Sequence, residues 1–205
     1  MFSKVLLRCC RFTLLTSAFL MLFSSICSAA NFTANMTTKN SGMSVTGKLF
    51  VKGTNIRQEM VLGGKKQVVI CRGDKNVTWM VDPSQKCYGE VAGAKSERSM
   101  RKMLKEMADE KYLGKETVNG YSCKKYRYIL RADKTGTILQ WRSDKLDWPI
   151  KTEVKREGQA LVVEYKNIKE VKPADSLFEV PKGYKKKAIN APAKMKMPPA
   201  PAKKK

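Results

Sequence analysis

The feature that most constrains the fold is a series of short segments in which apolar residues alternate with polar ones. In one of them, Ile150, Thr152 and Val154 alternate with charged residues. Because side chains two positions apart point to the same face of a strand, this pattern is typical of a strand with one face in water. Turn residues separate the segments, for example the hairpin pair Asn119-Gly120. The sequence therefore predicts consecutive antiparallel hairpins.

Ten such segments can be delimited. They cover residues 43–51, 55–62, 66–72, 77–81, 86–90, 112–118, 121–131, 138–142, 150–155 and 161–165. We expect a mainly β fold of the α+β class, in which one principal helix accompanies about nine to eleven strands. Such a chain forms a strongly curved antiparallel sheet or an unclosed β-barrel, with the helix as a plug or a lid.

One segment follows the helical period instead. Its apolar residues fall at i, i+3, i+4 and i+7, the spacing of one helical face: Met100, Met103, Leu104 and Met107. Ser96 is suited to cap a helix, and Glu97 stands in the first turn, where the helix dipole favours a negative charge. We expect this helix over residues 96–110. Its Met-rich face suits either a core plug or the lid of a lipid-sized cavity, because Met fills irregular gaps and adaptable surfaces alike.

The first 30 residues have the organisation of a secretory signal peptide. Three basic residues precede an apolar run over residues 12–26, and Ser28-Ala29-Ala30 offers a small-residue cleavage site. We expect cleavage after Ala30 and export to the periplasm of a Gram-negative bacterium. The folded domain is expected over residues 31–184, which is within the usual size of a single domain.

The chain is strongly basic, with 41 Lys and Arg against 18 Asp and Glu. From residue 185 onward, Pro, Ala and Lys occur without periodicity, which predicts a disordered tail over residues 185–205. Each lysine near an anionic membrane adds about 1 kcal/mol of attraction. Eight tail lysines are therefore candidates for binding an anionic surface: Lys185, Lys186, Lys187, Lys194, Lys196, Lys203, Lys204 and Lys205. The alternative interpretation is a tail that only keeps the protein soluble.

The residue types exclude several classes of function. Histidine is absent, which excludes a Ser-His-Asp triad, a Cys-His pair and a His-based zinc site. The acidic residues are scattered among lysines, and the sequence has no Gly-rich phosphate loop. We therefore expect that the protein is not an enzyme and that it binds neither a cofactor nor a metal ion. For an exported basic protein, the expected anionic partners are lipid headgroups or wall polymers rather than nucleic acid.

Three cysteines follow the expected signal peptide: Cys71, Cys87 and Cys123. Export would bring them into an oxidising compartment, where two of them can pair. With one strand between them, Cys71 and Cys87 lie roughly two strand spacings of ~4.8 Å apart, too far for a disulfide unless the sheet bends. The sequence leaves the pairing open.

The most recognisable residues stand at the end of the predicted domain. Residues 165–168, YKNI, and the closing segment, residues 173–184 with the sequence PADSLFEVPKGY, closely resemble the end of periplasmic proteins of the LolA/LolB-like superfamily. Within it, the match is closest to an uncharacterised branch with a domain of unknown function. Three stretches fall, in the same order, where such proteins carry corresponding strands: NIRQE at 55–59, TWMVDP at 78–83 and NGYSCKKY at 119–126.

The closing segment also has a physical interpretation. Pro173 ends the preceding strand because it lacks a backbone N–H. Leu177 and Phe178 are expected to plug one end of the barrel, and residues 181–183, Pro-Lys-Gly, to end the last strand pairing. The pattern predicts the end of a fold and not a catalytic group.

The resemblance implies an unclosed β-barrel with a helical lid over an apolar cavity, which the family uses to hold acyl chains of lipoproteins or other lipids. The leading hypothesis is therefore a monomeric, non-enzymatic periplasmic binding protein for a lipid, an acyl chain or another apolar ligand, with a carrier role in envelope lipid or lipoprotein handling. The candidate cavity residues are Met100, Met103, Leu104 and Met107 of the helix, with Trp79 and Trp141 in the wall. Ordinary core packing is the alternative for all six.

A second hypothesis, from a different class, is a structural or interaction protein of the envelope. In this case the cavity is collapsed, and the basic surface and tail bind anionic membrane or wall components. High salt would abolish such binding but would spare an apolar ligand.

Overall fold

The computed structural model describes residues 30–40, 42–94, 96–132, 136–156 and 159–188 of the 205-residue chain. The expected signal peptide, apart from Ala30, and residues 189–205 lie outside the described residues. The elements follow in chain order: β1 (Asn31–Asn40), β2 (Met43–Lys52), β3 (Asn55–Leu62), β4 (Lys65–Arg72), β5 (Val77–Asp82), β6 (Cys87–Ala92), α1 (Glu97–Met107), β7 (Ala108–Val118), β8 (Tyr121–Leu130), β9 (Thr137–Ser143), β10 (Trp148–Arg156), β11 (Gln159–Lys169), a 3-10 helix (Asp175–Phe178) and β12 (Lys185–Lys186).

The twelve strands form one sheet, in the order β12-β6-β5-β4-β3-β2-β1-β11-β10-β9-β8-β7. Consecutive strands pair as antiparallel hairpins on either side of α1, and β1 pairs with β11 to join the two halves. β12 runs parallel to β6, so the sheet is mixed. The sheet remains open between β12 and β7, as an unclosed half-barrel with α1 on one face. The expected mainly β fold with one principal helix is confirmed.

The sequence pattern missed two strands. β1 alternates the buried Phe32, Ala34 and Met36 with short polar residues, but Asn and Thr at those positions resemble a loop. β12 is two residues long and lies in the lysine-rich segment, whose composition predicted disorder.

Helix α1 begins where it was expected. Ser96 caps it by accepting a hydrogen bond from the backbone N–H of Ser99 at 3.2 Å, and the helix ends at Met107. Residues 108–110 belong to β7 instead, because β7 pairs with β8 from Ala108 onward. No helix within the described ranges has the length and apolar character needed to cross a membrane.

The sheet has an inner face, which carries α1, and an outer face. Alternation along the paired strands assigns each residue to one of them: Phe32 lies opposite Val51, and Val51 opposite Ile56. The buried inner residues belong to one cluster, which includes Phe32, Leu49, Val51, Ile56, Ile150 and Tyr165. A second cluster, on the outer face, is formed by Val68, Ile70, Val81 and Phe178.

The closing segment lies on the outer face and does not plug the end of the barrel. Phe178, at the end of the 3-10 helix, is only 1% exposed, within the outer cluster. The buried Arg72 donates a hydrogen bond to the carbonyl of Phe178 at 3.1 Å and forms an ion pair with Glu179. The expected plug is therefore a cover of the outer face, because side chains of β4 and β5 supply the apolar surface that Phe178 needs.

The chain also pairs again after residues 181–183, which were expected to end its pairing. The backbone N–H of Lys185 donates to the carbonyl of Lys86 at 3.0 Å, and that of Lys187 to the carbonyl of Tyr88 at 2.8 Å. At these residues the expected disordered tail is thus replaced by ordered backbone. The physical reason is that β6 would otherwise be an edge strand, whose unpaired backbone groups accept another strand.

The tip of the β7–β8 hairpin covers another part of the outer face. The side-chain amide of Asn119 donates to Glu164 at 3.1 Å and to the carbonyl of Tyr165 at 2.9 Å. The Tyr121 hydroxyl donates to Glu170 at 3.0 Å. These contacts fold the hairpin back onto β11.

Candidate functional site

Ion pairs attach the beginning of α1 to the inner face. Glu97 pairs with Arg142 of β9, whose side chain is only 5% exposed. Arg101 pairs at 3.5 Å with Asp147, in the turn between β9 and β10. A buried cation therefore holds the first turn of the helix over the sheet.

Polar contacts also hold the end of α1. Lys105 pairs with Glu110 of β7 at 3.2 Å. The guanidinium of Arg131 donates to the carbonyl of Glu106 at 2.7 Å, and its backbone N–H donates to the carbonyl of Met107 at 3.0 Å. Both ends of the helix are thus held by charges and hydrogen bonds.

None of the residues of α1 is buried. Met100 is 46% exposed, and Met103, Leu104 and Met107 are half-buried. A plug would bury its apolar face in the core. The partly open apolar face of this helix therefore favours the lid interpretation over the plug interpretation.

The Met-rich side of α1 lies on the flank of the helix opposite Lys105. On a helix that turns about 100° per residue, Glu97 and Leu104 share the side that contacts the sheet. Lys105 lies on one flank of that side and pairs with Glu110 at the sheet edge. The other flank carries Met100, Met103 and Met107.

The inner face of the sheet also carries apolar side chains that are only half-buried. Alternation places six of them on strands β3, β4, β5, β9, β10 and β11: Met60, Val69, Met80, Ile138, Val154 and Val163. Val51 and Ile150 of the same face are fully buried. We call this surface the inner trough. It is closed at the end where α1 begins and open at the other.

The closed end of the inner trough contains a cavity of about 330 Å³. Val51, Ile56 and Trp148 form its apolar wall, and Ser96 and Glu97 bring the start of α1 to its rim. The helix and the sheet therefore enclose space without filling it.

None of the six half-buried residues of the inner trough is among the candidate site residues that the sequence predicts. Alternation contained part of the signal, because Met60 lies four residues after the buried Ile56 and so shares its face. Alternation cannot tell which of the two faces a distant helix covers, however, since it records only that side chains share a face.

Burial shifts the pKa values of three side chains on the inner face. It raises the pKa of Glu97 above its ordinary value, although the charge of Arg142 opposes the shift. Burial, together with the charge of Glu110, raises the pKa of Tyr128, and burial with the charge of Glu97 raises that of Tyr165. Both phenols are thus neutral at physiological pH, and the Glu97–Arg142 pair supplies the buried charge.

The structure separates the two candidate tryptophans from the helix. Trp79 packs against the outer cluster, and its indole N–H donates to Glu90 at 3.0 Å. Trp141 also points outward, with the ammonium groups of Lys125 and Lys151 at 4.8 and 4.7 Å from its ring centre. Strand alternation places both on the face opposite α1, so they do not line a cavity shared with the helix methionines.

The candidate tail lysines are described only in part. Lys186 pairs with Glu90 at 2.7 Å, and the ammonium group of Lys187 donates to Gln85 at 3.3 Å. Lys185 is exposed beside them. Five others lie outside the described residues: Lys194, Lys196, Lys203, Lys204 and Lys205. Binding of an anionic surface by these lysines stays a prediction.

The described residues offer no group of three or more His, Cys, Asp or Glu side chains that could hold a metal ion. Cys71, Cys87 and Cys123 are free thiols. Strand β5 separates Cys71 from Cys87, and burial raises the pKa of the Cys123 thiol.

Residues 32–147 match the profile of a protein family, the domain of unknown function DUF4412. The chain belongs to this family. The match covers more than half of the chain and confirms the resemblance to a branch with a domain of unknown function. The comparison with curated proteins gives no match.

Solved structures are similar to this chain at low sequence identity. An uncharacterized conserved protein from Thermus thermophilus has a TM-score of 0.56 and 9% identity, over 78% of this chain and 91% of that one. MucB of Pseudomonas aeruginosa, solved with MucA, has a TM-score of 0.52 and 16% identity, over 74% of this DUF4412 chain and 56% of its own. The chain thus spans a little over half the length of MucB. A LolA superfamily protein from Nitrosomonas europaea has a TM-score of 0.39 and 13% identity, over 74% and 90% of the two chains.

Proposed function

We propose that this DUF4412 protein is a non-enzymatic binding protein that holds a lipid, an acyl chain or another apolar ligand in the inner trough, beneath α1. The observation that carries the proposal is the half-buried apolar surface on both the helix and the sheet. A contiguous apolar surface that a folded protein leaves open marks a binding site. Covering it with a ligand contributes roughly 25 cal/mol per Å² of apolar area buried.

The attachment of α1 supports its role as a lid. Glu97 and Lys105 hold the helix through ion pairs, and none of its residues is buried. An element with few buried apolar contacts opens at a lower free energy than the core does. The helix can therefore move aside to admit a ligand and close over it without unfolding the sheet.

The periplasm is the proposed location, supported by the signal-like residues 1–30. MucB, which shares the fold, forms a complex with MucA. A protein of this fold can therefore engage a partner. We propose that this chain has a carrier role in envelope lipid or lipoprotein handling. We also propose that it carries and delivers its ligand as a monomer. One chain supplies both the helix and the sheet of the inner trough.

Mass spectrometry of the protein purified from its own envelope tests the proposal directly. We expect a lipid to co-purify and a fluorescent fatty acid to bind competitively with it. If no lipid co-purifies and the fatty acid does not bind, the proposal is overturned.

A variant pair locates the binding on the helix. Met103→Glu should abolish fatty-acid binding, because it places a charge on the half-buried flank of α1. Lys102→Glu is the control on the same helix, since its side chain is 80% exposed, and it should retain binding. Unfolding of Met103→Glu would instead support the plug interpretation.

A further inference from the structure

A groove crosses the outer face between its two covers. It runs along β1, β2 and β11 in two adjoining parts of about 600 and 630 Å³, which share Asn35, Lys48 and Asn167. The closing segment stands on one side, where Arg57 of β3 donates to its backbone at 2.8 Å. The tip of the β7–β8 hairpin stands on the other, held to β11 by Asn119. We call this space the outer groove.

The outer groove carries an excess of positive charge. Four lysines line it: Lys48, Lys66, Lys166 and Lys169. Glu59 is the carboxylate among its lining residues, and it is already paired with Arg57 and Lys66 at 2.7 and 2.8 Å. Among the described residues, Lys48 and Lys169 have no carboxylate partner. A cleft lined by one sign of charge concentrates ligands of the opposite sign.

The backbone is irregular at the middle of the outer groove. The register between β1 and β11 shifts between Thr33 and Asn35. Asn167, the additional residue of β11, has a φ of 50°, in the left-handed region. Bulges and residues in such conformations cluster at functional sites, where they direct a side chain. Here the bulge presents the exposed Asn167 amide to both parts of the groove.

The lining groups match the chemistry of a carbohydrate that carries negative charges. The amides of Asn35 and Asn167 and the hydroxyls of Thr33 and Thr37 both donate and accept hydrogen bonds, as sugar hydroxyls require. The lysine ammonium groups form charge-assisted hydrogen bonds with phosphate, carboxylate or sulfate. We propose that the outer groove binds a single extended chain of an anionic glycan.

The shape of the outer groove favours this partner over two others. The closing segment and the hairpin tip flank the lysines between them, which suits a narrow chain better than a flat membrane. An extended peptide cannot add as a strand, because β1, β2 and β11 are paired on both sides. From Thr33 to Thr37, β1 spans about 13 Å, which is long enough for a short run of sugar units.

The outer groove is separate from the inner trough, because Asn35 and Lys48 lie on the opposite face of β1 and β2 from Met36 and Leu49. The glycan site is thus independent of the proposed apolar ligand. A protein with both sites would be localised by a glycan on one face while the other face binds an apolar ligand.

Calorimetric titration of the full chain with a heparin oligosaccharide, at physiological salt, tests the glycan site. The double variant Lys48→Gln/Lys166→Gln should weaken binding at least tenfold. The control, Lys102→Gln/Lys111→Gln, removes the same charge from exposed positions of α1 and β7 and should change binding less than twofold. Equal losses in both double variants would show that net charge alone drives binding and would overturn the proposal, as would no binding by the unaltered chain.

Asn167→Gly tests the groove without a change in charge. Glycine keeps the left-handed backbone, so the fold should be retained while heparin binding weakens severalfold; unchanged binding would overturn the role of this residue.

Two further titrations separate the partners. Vesicles of phosphatidylglycerol and phosphatidylcholine should be bound equally by the groove variant and its control. A groove-dependent loss for vesicles or for poly-glutamate, but not for heparin, would overturn the glycan in favour of a membrane or an acidic peptide.

Discussion

Helix α1 on the inner face and the closing segment on the outer face cover the same sheet in opposite ways. α1 has eleven residues and buries none of them. The 3-10 helix of the closing segment has four residues and buries Phe178 almost completely. Length and amphipathic character therefore do not decide how firmly an element is held. The fit of a single side chain into a close-packed surface does.

The two regions also shift the pKa of a carboxylate in opposite directions. Hydrogen bonds from Arg72 lower the pKa of Asp74, beside the closing segment, to about 2. In α1, burial raises the pKa of Glu97. The ionised carboxylate is thus favoured by the fold near the closing segment and disfavoured under the helix.

The largest expected effect on stability, and the strongest test of this contrast between the two covers, comes from Phe178→Ala. Removing a fully buried phenyl ring costs about 3–5 kcal/mol of unfolding free energy, because it combines lost burial with a cavity. Urea denaturation measures it. Met100→Ala, in the exposed part of α1, is the control and should cost less than about 0.5 kcal/mol. Similar losses in the two variants would refute the contrast.

The two buried arginines offer a matched test. Arg72→Gln should lower the unfolding free energy by about 1.5–3 kcal/mol, because the buried carbonyl of Phe178 loses a charged donor. Arg142→Gln should cost less than about 1 kcal/mol, since α1 can detach and let water reach Glu97. Hydrogen exchange should then show faster exchange in α1 but not in β4. A larger loss for Arg142→Gln would mean that the helix is part of the core.

The pH dependence of stability gives a further test of the contrast, in which the expected effects are smaller. Glu97 has a raised pKa when folded, so its contribution to stability falls as the pH rises from about 4.5 through the folded value. Asp74 has a lowered pKa, so its contribution is present above 3.8 and is lost as the pH falls toward 2. Urea midpoints measured across pH test both signs. Glu97→Gln should remove the decrease in stability that occurs above pH 4.5. Asp74→Asn should remove the loss of stability that occurs below pH 3.8. Identical profiles for both variants would contradict the opposite signs.

The smallest effect is expected from deleting residues 185–205. The deletion removes the short β12 and should lower the unfolding free energy by less than about 1 kcal/mol, because Lys185 and Lys186 are exposed. Fatty-acid binding should be unchanged, since β12 lies at the far edge of the sheet from β7 and β8, over which α1 packs. Loss of fatty-acid binding in the truncated protein would show that this segment belongs to the apolar site.

Much of the secondary structure could be predicted because its signals are local. The period of two in residues 150–155 and the Asn119-Gly120 turn depend on neighbouring residues alone, and both features are present. The Ser96 cap was predictable for the same reason. β12 was not, because two lysines carry no strand signal and pair only where a distant edge accepts them.

The sites depended on contacts between distant residues. The apolar spacing of Met100, Met103 and Met107 was enough to predict one face of a helix, whereas the common face of Met60 and Met80 required the pairing of β3, β4 and β5. The face on which Trp79 and Trp141 lie could not be predicted, because alternation along a strand does not tell inside from outside.

By itself, then, the sequence determined a curved antiparallel sheet with one Met-lined helix, no histidine and a basic surface, because periodicity, turn chemistry and composition act over a few residues. Tertiary structure alone decided that Phe178 seals the outer face, that α1 rests on ion pairs and that four lysines gather around Asn167. Each of these depends on which distant strands meet, and burial and charge proximity exist only once they have met.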